Sequence, residues 1–135
     1  MASNGTLIGT PAAGNVGSNL FTLSVSDGRG GSDTATLQIT VLAPQLASPS
    51  NLTATATGLK RIDLTWIDNS SNETGFRIER STNNIKFSKI AIVNAGVTSF
   101  SNTGLRRGKT YYYRVRANGS VVNSAYSNTA SATAN

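Results

Sequence analysis

The chain has 135 residues, a mass of 14.0 kDa and a net charge of +6, which leaves room for one ordinary domain, or for one small β domain of about 90 residues plus a fragment, and too little for a large enzyme fold. Ser, Thr and Asn supply 48 residues beside 13 Gly, a composition for strands and turns rather than helices. Histidine and cysteine are both absent, which excludes disulfide staples, thiol catalysis, soft-metal sites and the commonest general base.

The start, Met1-Ala2-Ser3, has neither a basic n-region nor an apolar h-region, so any export signal is expected outside this chain. No stretch approaches the roughly 20 apolar residues that cross a bilayer, and membrane insertion is not expected. Residues 6–11 read as one short strand at best. Residues 20–25 and 35–41 each set apolar side chains against hydroxyl side chains, and the turn-rich stretch 27–33 joins them, which predicts a hairpin. About three strands result, where an independently stable sandwich needs about seven. Residues 42–50 then break the alternation with Pro44 and Pro49, neither of which can donate to a sheet ladder. The predicted division is a partial β segment at 1–44, a linker at 45–47 and a domain at 48–135. The charge divides at the same place: Arg29 against Asp27 and Asp33 upstream, eleven Lys or Arg against four acids downstream.

Downstream, alternation recurs about every 10 residues and predicts seven strands, at 51–57, 61–67, 75–81, 88–94, 99–101, 110–117 and 127–134. Ile62, Leu64 and Trp66, Phe76 and Ile78, and Tyr111, Tyr113, Val115 and Ala117 fall on one side of their strands, the inward set that a sandwich core requires. The expected class is all-β: a seven-stranded sandwich preceded by an incomplete segment of about three strands.

Leu64-Thr65-Trp66, the run 74–81 (TGFRIERS) and the run 104–117 (GLRRGKTYYYRVRA) resemble a bacterial fibronectin type III domain over residues 48–135. The resemblance implies an immunoglobulin-like sandwich in which Trp66 packs under Leu105 and Tyr111 forms the tyrosine corner. Such domains often carry Pro and Thr where this chain has Arg107 and Lys109, so the turn is expected to be less rigid while its register is kept. Residues 1–44 resemble the C-terminal half of a bacterial immunoglobulin-like or cadherin-like repeat, through Gly9-Thr10-Pro11, Val16-Gly17 and the run 25–31 (VSDGRGG). Both families occur in tandem in large secreted or surface proteins of bacteria, polysaccharide-degrading enzymes among them. The resemblance therefore implies an extracellular bacterial fragment whose partners are neighbouring domains of a larger parent.

Asp68 and Glu73 offer the two carboxylates of a glycosidase, but no cleft-forming insertion accompanies them, and the stretch 68–74 reads as a polar loop bonding its own amides. Asp27 and Asp33 flank a Gly-rich turn, yet the stretch 42–50 adds no acid toward the 6 to 8 oxygens that calcium takes. Gly28-Arg29-Gly30-Gly31 precedes no helix that would present amides to phosphate. No catalytic residue, metal site or cofactor is expected.

One surface warrants a hypothesis. If Phe76, Tyr111 and Tyr113 point inward, Arg77, Glu79, Tyr112, Arg114 and Arg116 point outward on one sheet. Arg77, Tyr112, Arg114 and Arg116 then form a candidate ligand-binding set, with Tyr for a sugar ring and Arg forks for acidic groups. The competing and favoured reading is a cross-strand ladder in which Arg alternates with Glu79. The expected function is accordingly a non-catalytic spacer or scaffolding module, with a carbohydrate- or polymer-binding accessory module as the alternative. Nucleic acid is not an expected partner. Residues 1–44, unable to close a sandwich, predict a homodimer through that segment.

Overall fold

The computed structural model describes residues 8–43 and 45–135, and the chain forms two compact units, residues 1–44 and 45–135. In the first, a short 3-10 turn, Ala13–Asn15, leads into β1 (Gly17–Ser26), which pairs antiparallel with β2 (Ser32–Val41). Of the strand expected at 6–11, Thr6 and Leu7 lie outside the described residues, and residues 8–11 take no strand conformation. The hairpin turn is held by Asp27, whose carboxylate Oδ1 accepts the amides of Arg29 (2.7 Å) and Gly31 (2.9 Å). These bonds hold the Asp27 carboxyl below its ordinary range. Gly28 and Gly30 supply the left-handed backbone that the reversal needs, at φ 70° and 102°. The register sets Phe21 opposite Leu37 and Leu23 opposite Ala35, so Phe21, Leu23, Val25, Leu37, Ile39 and Val41 share one face, while Leu20 lies on the other, 71% exposed. That face stays partly open: Phe21 is 47% and Val25 67% exposed.

The second unit is a sandwich of two antiparallel sheets. β3 (Ser50–Ala56), β4 (Ile62–Ile67) and β7 (Ser99–Asn102) form one, in the order β3-β4-β7. β5 (Gly75–Ser81), β6 (Ser88–Asn94), β8 (Thr110–Asn118) and β9 (Ala130–Thr133) form the other, in the order β6-β5-β8-β9. All nine residues of the predicted inward set are buried, joined by Leu52, Leu105 and Ala134. Trp66 meets Phe76 with ring centroids 5.7 Å apart and planes tilted by 59°, a favourable aromatic geometry.

The last strand starts later than its alternation predicts. Along residues 124–128, serine hydroxyls take over the edge of β8: Ser124 Oγ accepts the Ala117 amide and Ser127 Oγ accepts the Val115 amide, at 2.9 and 3.0 Å. Asn128 then reaches the opposite sheet, its side-chain amide bonding both the N–H and the C=O of Leu52 at 2.9 Å. A hydroxyl or amide side chain that satisfies a neighbouring backbone group competes with the ladder in this way.

Residues 45–47, expected as a linker, pack with the second unit. Leu46 is 6% exposed and lies against Gly119, and the carbonyl of Ala47 accepts the Ser70 hydroxyl at 2.8 Å. The buried apolar side chain draws the segment onto the sandwich.

Candidate functional site

The alternation of β5 and β8 places Arg77, Glu79, Tyr112, Arg114 and Arg116 on the outer face, as expected, and the register sets Arg77 opposite Arg116, Glu79 opposite Arg114 and Ser81 opposite Tyr112. Two arginines directly opposite each other repel. Glu79, opposite Arg114 and with only 3% of its side chain exposed, supplies the counter-charge to Arg77 and Arg114. Its Oε2 accepts both Nη2 and Nε of Arg114, at 2.7 and 3.0 Å. Its Oε1 lies 2.8 Å from Arg77 Nε. Burial pushes the Glu79 carboxyl up, but the Arg114 hydrogen bonds, the Tyr126 hydroxyl and the charges of Arg114 and Arg77 outweigh it and hold the group below its ordinary range.

Aromatic side chains from flanking loops complete the cluster. The Arg114 guanidinium sits between two rings, 3.8 Å from the centroid of Tyr126 and 4.3 Å from that of Phe87, and Arg116 lies 5.0 Å above Tyr126. Each such cation–π contact adds about 0.5 to 2 kcal/mol, depending on desolvation. Of the four candidate ligand residues, Arg77 and Arg114 are thus engaged by Glu79 and Arg116 by Tyr126. Oε2 of Glu79 is occupied by Arg114, and the carboxylate charge is offset by the two guanidinium groups beside it. Tyr112 stands apart from the other three, beside the turn between β7 and β8.

Glu79 gives the sandwich a pH dependence. Because its folded pKa lies below the ordinary 4.5, the stabilisation is present above that value and is lost as pH falls through the folded one. The unfolding midpoint in urea should therefore decline as the pH falls below the ordinary carboxylate range, and Glu79→Gln should flatten the decline.

At the other pole of the sheet, the turn between β7 and β8 carries the tyrosine corner. Leu105 is 2% exposed, and the Arg106 amide donates to Tyr111 Oη at 3.0 Å. The register survives Arg107 and Lys109. Tyr111→Phe removes the acceptor and should lower stability by about 1 to 2 kcal/mol in chemical denaturation.

Sequence reasoning passed over Arg80, although it shares the inward face with Phe76 and Ile78. Its Nη1 donates to Asn102 Oδ1 at 3.0 Å, where the Tyr113 hydroxyl also donates at 3.0 Å, and its guanidinium lies 5.0 Å from the Tyr111 ring centroid. Burial pushes the Tyr113 hydroxyl up to about 12. Phe87 and Tyr126 were also missed, since both lie in loops where no periodicity points to a contact.

Asp68 and Glu73 face separate loops: Asp68 Oδ1 accepts the Ser70 amide at 2.9 Å and Glu73 Oε1 the Gly96 amide at 3.3 Å. Among the described residues, no three acidic side chains converge.

A bacterial Ig domain model matches residues 1–40, and a fibronectin type III model matches residues 47–133. No curated protein matches the chain. Among solved structures, a Fn3-like protein from Clostridium thermocellum is similar at 28% identity and a TM-score of 0.57, over 65% of this chain and 92% of that one. A β-1,2-glucanase from Parabacteroides distasonis is similar at 27% identity and a TM-score of 0.55, over 78% of this chain and 16% of that longer chain. A pectate lyase from Pectobacterium carotovorum shares the fold at 21% identity and a TM-score of 0.57, over 66% of this chain and 27% of that one. With Trp66, Leu105 and the Tyr111 corner in place and a matching model over residues 47–133, the chain belongs to the fibronectin type III family.

Proposed function

We propose that the chain is a non-catalytic spacer module of a secreted or surface bacterial protein, setting distance and orientation between neighbouring domains, and that its parent acts on polysaccharide. The observation that carries this reading is the Glu79 cluster. Of the arginines that would mark a binding face, Arg114 is hydrogen-bonded by the buried Glu79 carboxylate at 2.7 and 3.0 Å and stacked between Tyr126 and Phe87, Arg77 lies 2.8 Å from the same carboxylate, and Arg116 lies 5.0 Å from the Tyr126 ring. Their work is to close the outer face of the sheet. The glucanase similarity supports the polysaccharide context, because there a comparable module occupies a small part of a much longer chain.

Neutral polysaccharides are bound through exposed aromatic rings on which sugars stack, and here Phe87 and Tyr126 are covered by arginine. The chain mixed with insoluble cellulose, chitin or xylan should therefore stay in the supernatant after centrifugation. Sedimentation with any of the three, abolished by Tyr112→Ala, would favour the accessory binding module instead.

A further inference from the structure

The unit at residues 45–135 has four acids: Asp63 is paired with Arg61 on β4, Asp68 and Glu73 lie in the loop between β4 and β5, and Glu79 is buried in the arginine cluster. None is at the turn between β7 and β8. There Arg106, Arg107 and Lys109 project within four residues of one another, all exposed and, among the described residues, without an ion pair. They line an open depression of about 430 Å³ together with Thr82, Thr110 and Tyr112. Tyr112 is the one member of the sequence-predicted ligand set that the Glu79 cluster leaves out. Arg107 and Lys109 are the two positions where the turn departs from the pattern it resembles.

The frame that presents these cations is fixed. The Leu105 amide donates to the Lys60 carbonyl (3.0 Å), Arg106 to Tyr111 Oη (3.0 Å), Gly108 to Ala134 (2.8 Å), Lys109 to Arg106 (3.2 Å) and Ala134 to Lys109 (3.1 Å). Backbone already ordered adds little entropic cost on binding. Two guanidinium forks suit carboxylate or sulfate oxygens, Lys109 adds a point charge, and Tyr112 offers a ring face and a hydroxyl. A single aromatic in a shallow hollow is the wrong furniture for nucleic acid, which is held along a groove by several stacking rings.

We infer that the depression formed by Arg106, Arg107, Lys109 and Tyr112 is a binding site for an acidic polysaccharide, one carrying carboxylates or sulfates on its sugar rings. It adds weak, salt-sensitive attachment to the spacer role and stands or falls apart from it. Exposed charges are screened over roughly 10 Å at 0.1 M salt, so affinity should fall as salt rises.

The test uses the full chain and fluorescein-labelled oligogalacturonate, followed by anisotropy at about 50 mM and about 300 mM NaCl. Binding at the lower salt should weaken at the higher one. R106S/R107S/K109S should lose about tenfold in affinity, whereas R29S/K86S/K89S, which removes the same charge elsewhere, should change it by less than about twofold, both variants keeping the parent unfolding midpoint. Absence of binding by the parent chain, equal loss in the two variants, or full affinity in the first would overturn the assignment. Tighter binding of oligo-dT than of oligogalacturonate would overturn it in favour of nucleic acid. Sedimentation with cellulose that persists in Tyr112→Ala would defeat the spacer reading alone, whereas sedimentation abolished by Tyr112→Ala would overturn the acidic-ligand assignment as well.

Discussion

Replacement of Trp66 by alanine is expected to unfold much of the population at room temperature, at a cost of about 3 to 5 kcal/mol against a total stability of about 5 to 15 kcal/mol. The side chain is 4% exposed and fills the space between the two sheets against Phe76. Its removal leaves a cavity that β4 cannot collapse into, because the strand is held on both sides, by β3 and by β7. One feature moderates the effect: the indole Nε1 is buried without a protein acceptor, so the native side chain already carries an unsatisfied donor. Trp66→Phe, which keeps most of the volume and discards that donor, should therefore cost clearly less than Trp66→Ala. Urea denaturation of both variants, followed by circular dichroism, measures the difference. Equal losses would show that ring volume is not what Trp66 contributes.

Gly75→Ala should produce a comparable loss, about 2 to 5 kcal/mol, from backbone strain and overpacking together. Gly75 opens β5 at φ 152°, buried, paired with Asn94 on one side and Asn118 on the other. A β-carbon there would overlap the Val93 carbonyl oxygen. That oxygen belongs to the neighbouring strand, so relief requires β5 and β6 to separate, and β5 carries Ile78 and Glu79. Thermal unfolding of the variant should show a large drop in midpoint. A drop no larger than that of an exposed Gly9→Ala would mean that the strand start yields easily.

The second unit was legible because its core alternates strictly. β5 and β6 run over the residues that alternation assigns, and each side chain of the inward set is buried. Alternation says which face a residue takes but not its cross-strand partner. It placed Arg77, Arg114 and Arg116 outward without showing that Glu79 would lie opposite Arg114, since register is set by turn geometry. Nor does it reach into loops, from which Phe87 and Tyr126 come to sandwich Arg114. The late start of β9 has a third cause: Ser124 and Ser127 carry the same hydroxyl in a strand as in an edge clasp, and only the facing amides of Ala117 and Val115 decide between them. In the hairpin, strands and turn were readable from residues 20–41. That Phe21 and Val25 stay largely exposed could not be read there, because periodicity within one segment assigns a face and not what packs on it.

The spacer reading rests on the outer arginines being structural, and a double-mutant cycle between Glu79 and Arg114 tests that most directly. Urea denaturation of the parent chain, Glu79→Gln, Arg114→Ser and the double variant yields their coupling energy. Two charge-assisted hydrogen bonds at 2.7 and 3.0 Å to a carboxylate whose side chain is 3% exposed predict a coupling of at least about 1 kcal/mol and a clear loss of stability in each single variant. Additive effects, with Arg114→Ser leaving the midpoint unchanged, would contradict the account and return the arginines to the role of a free binding surface.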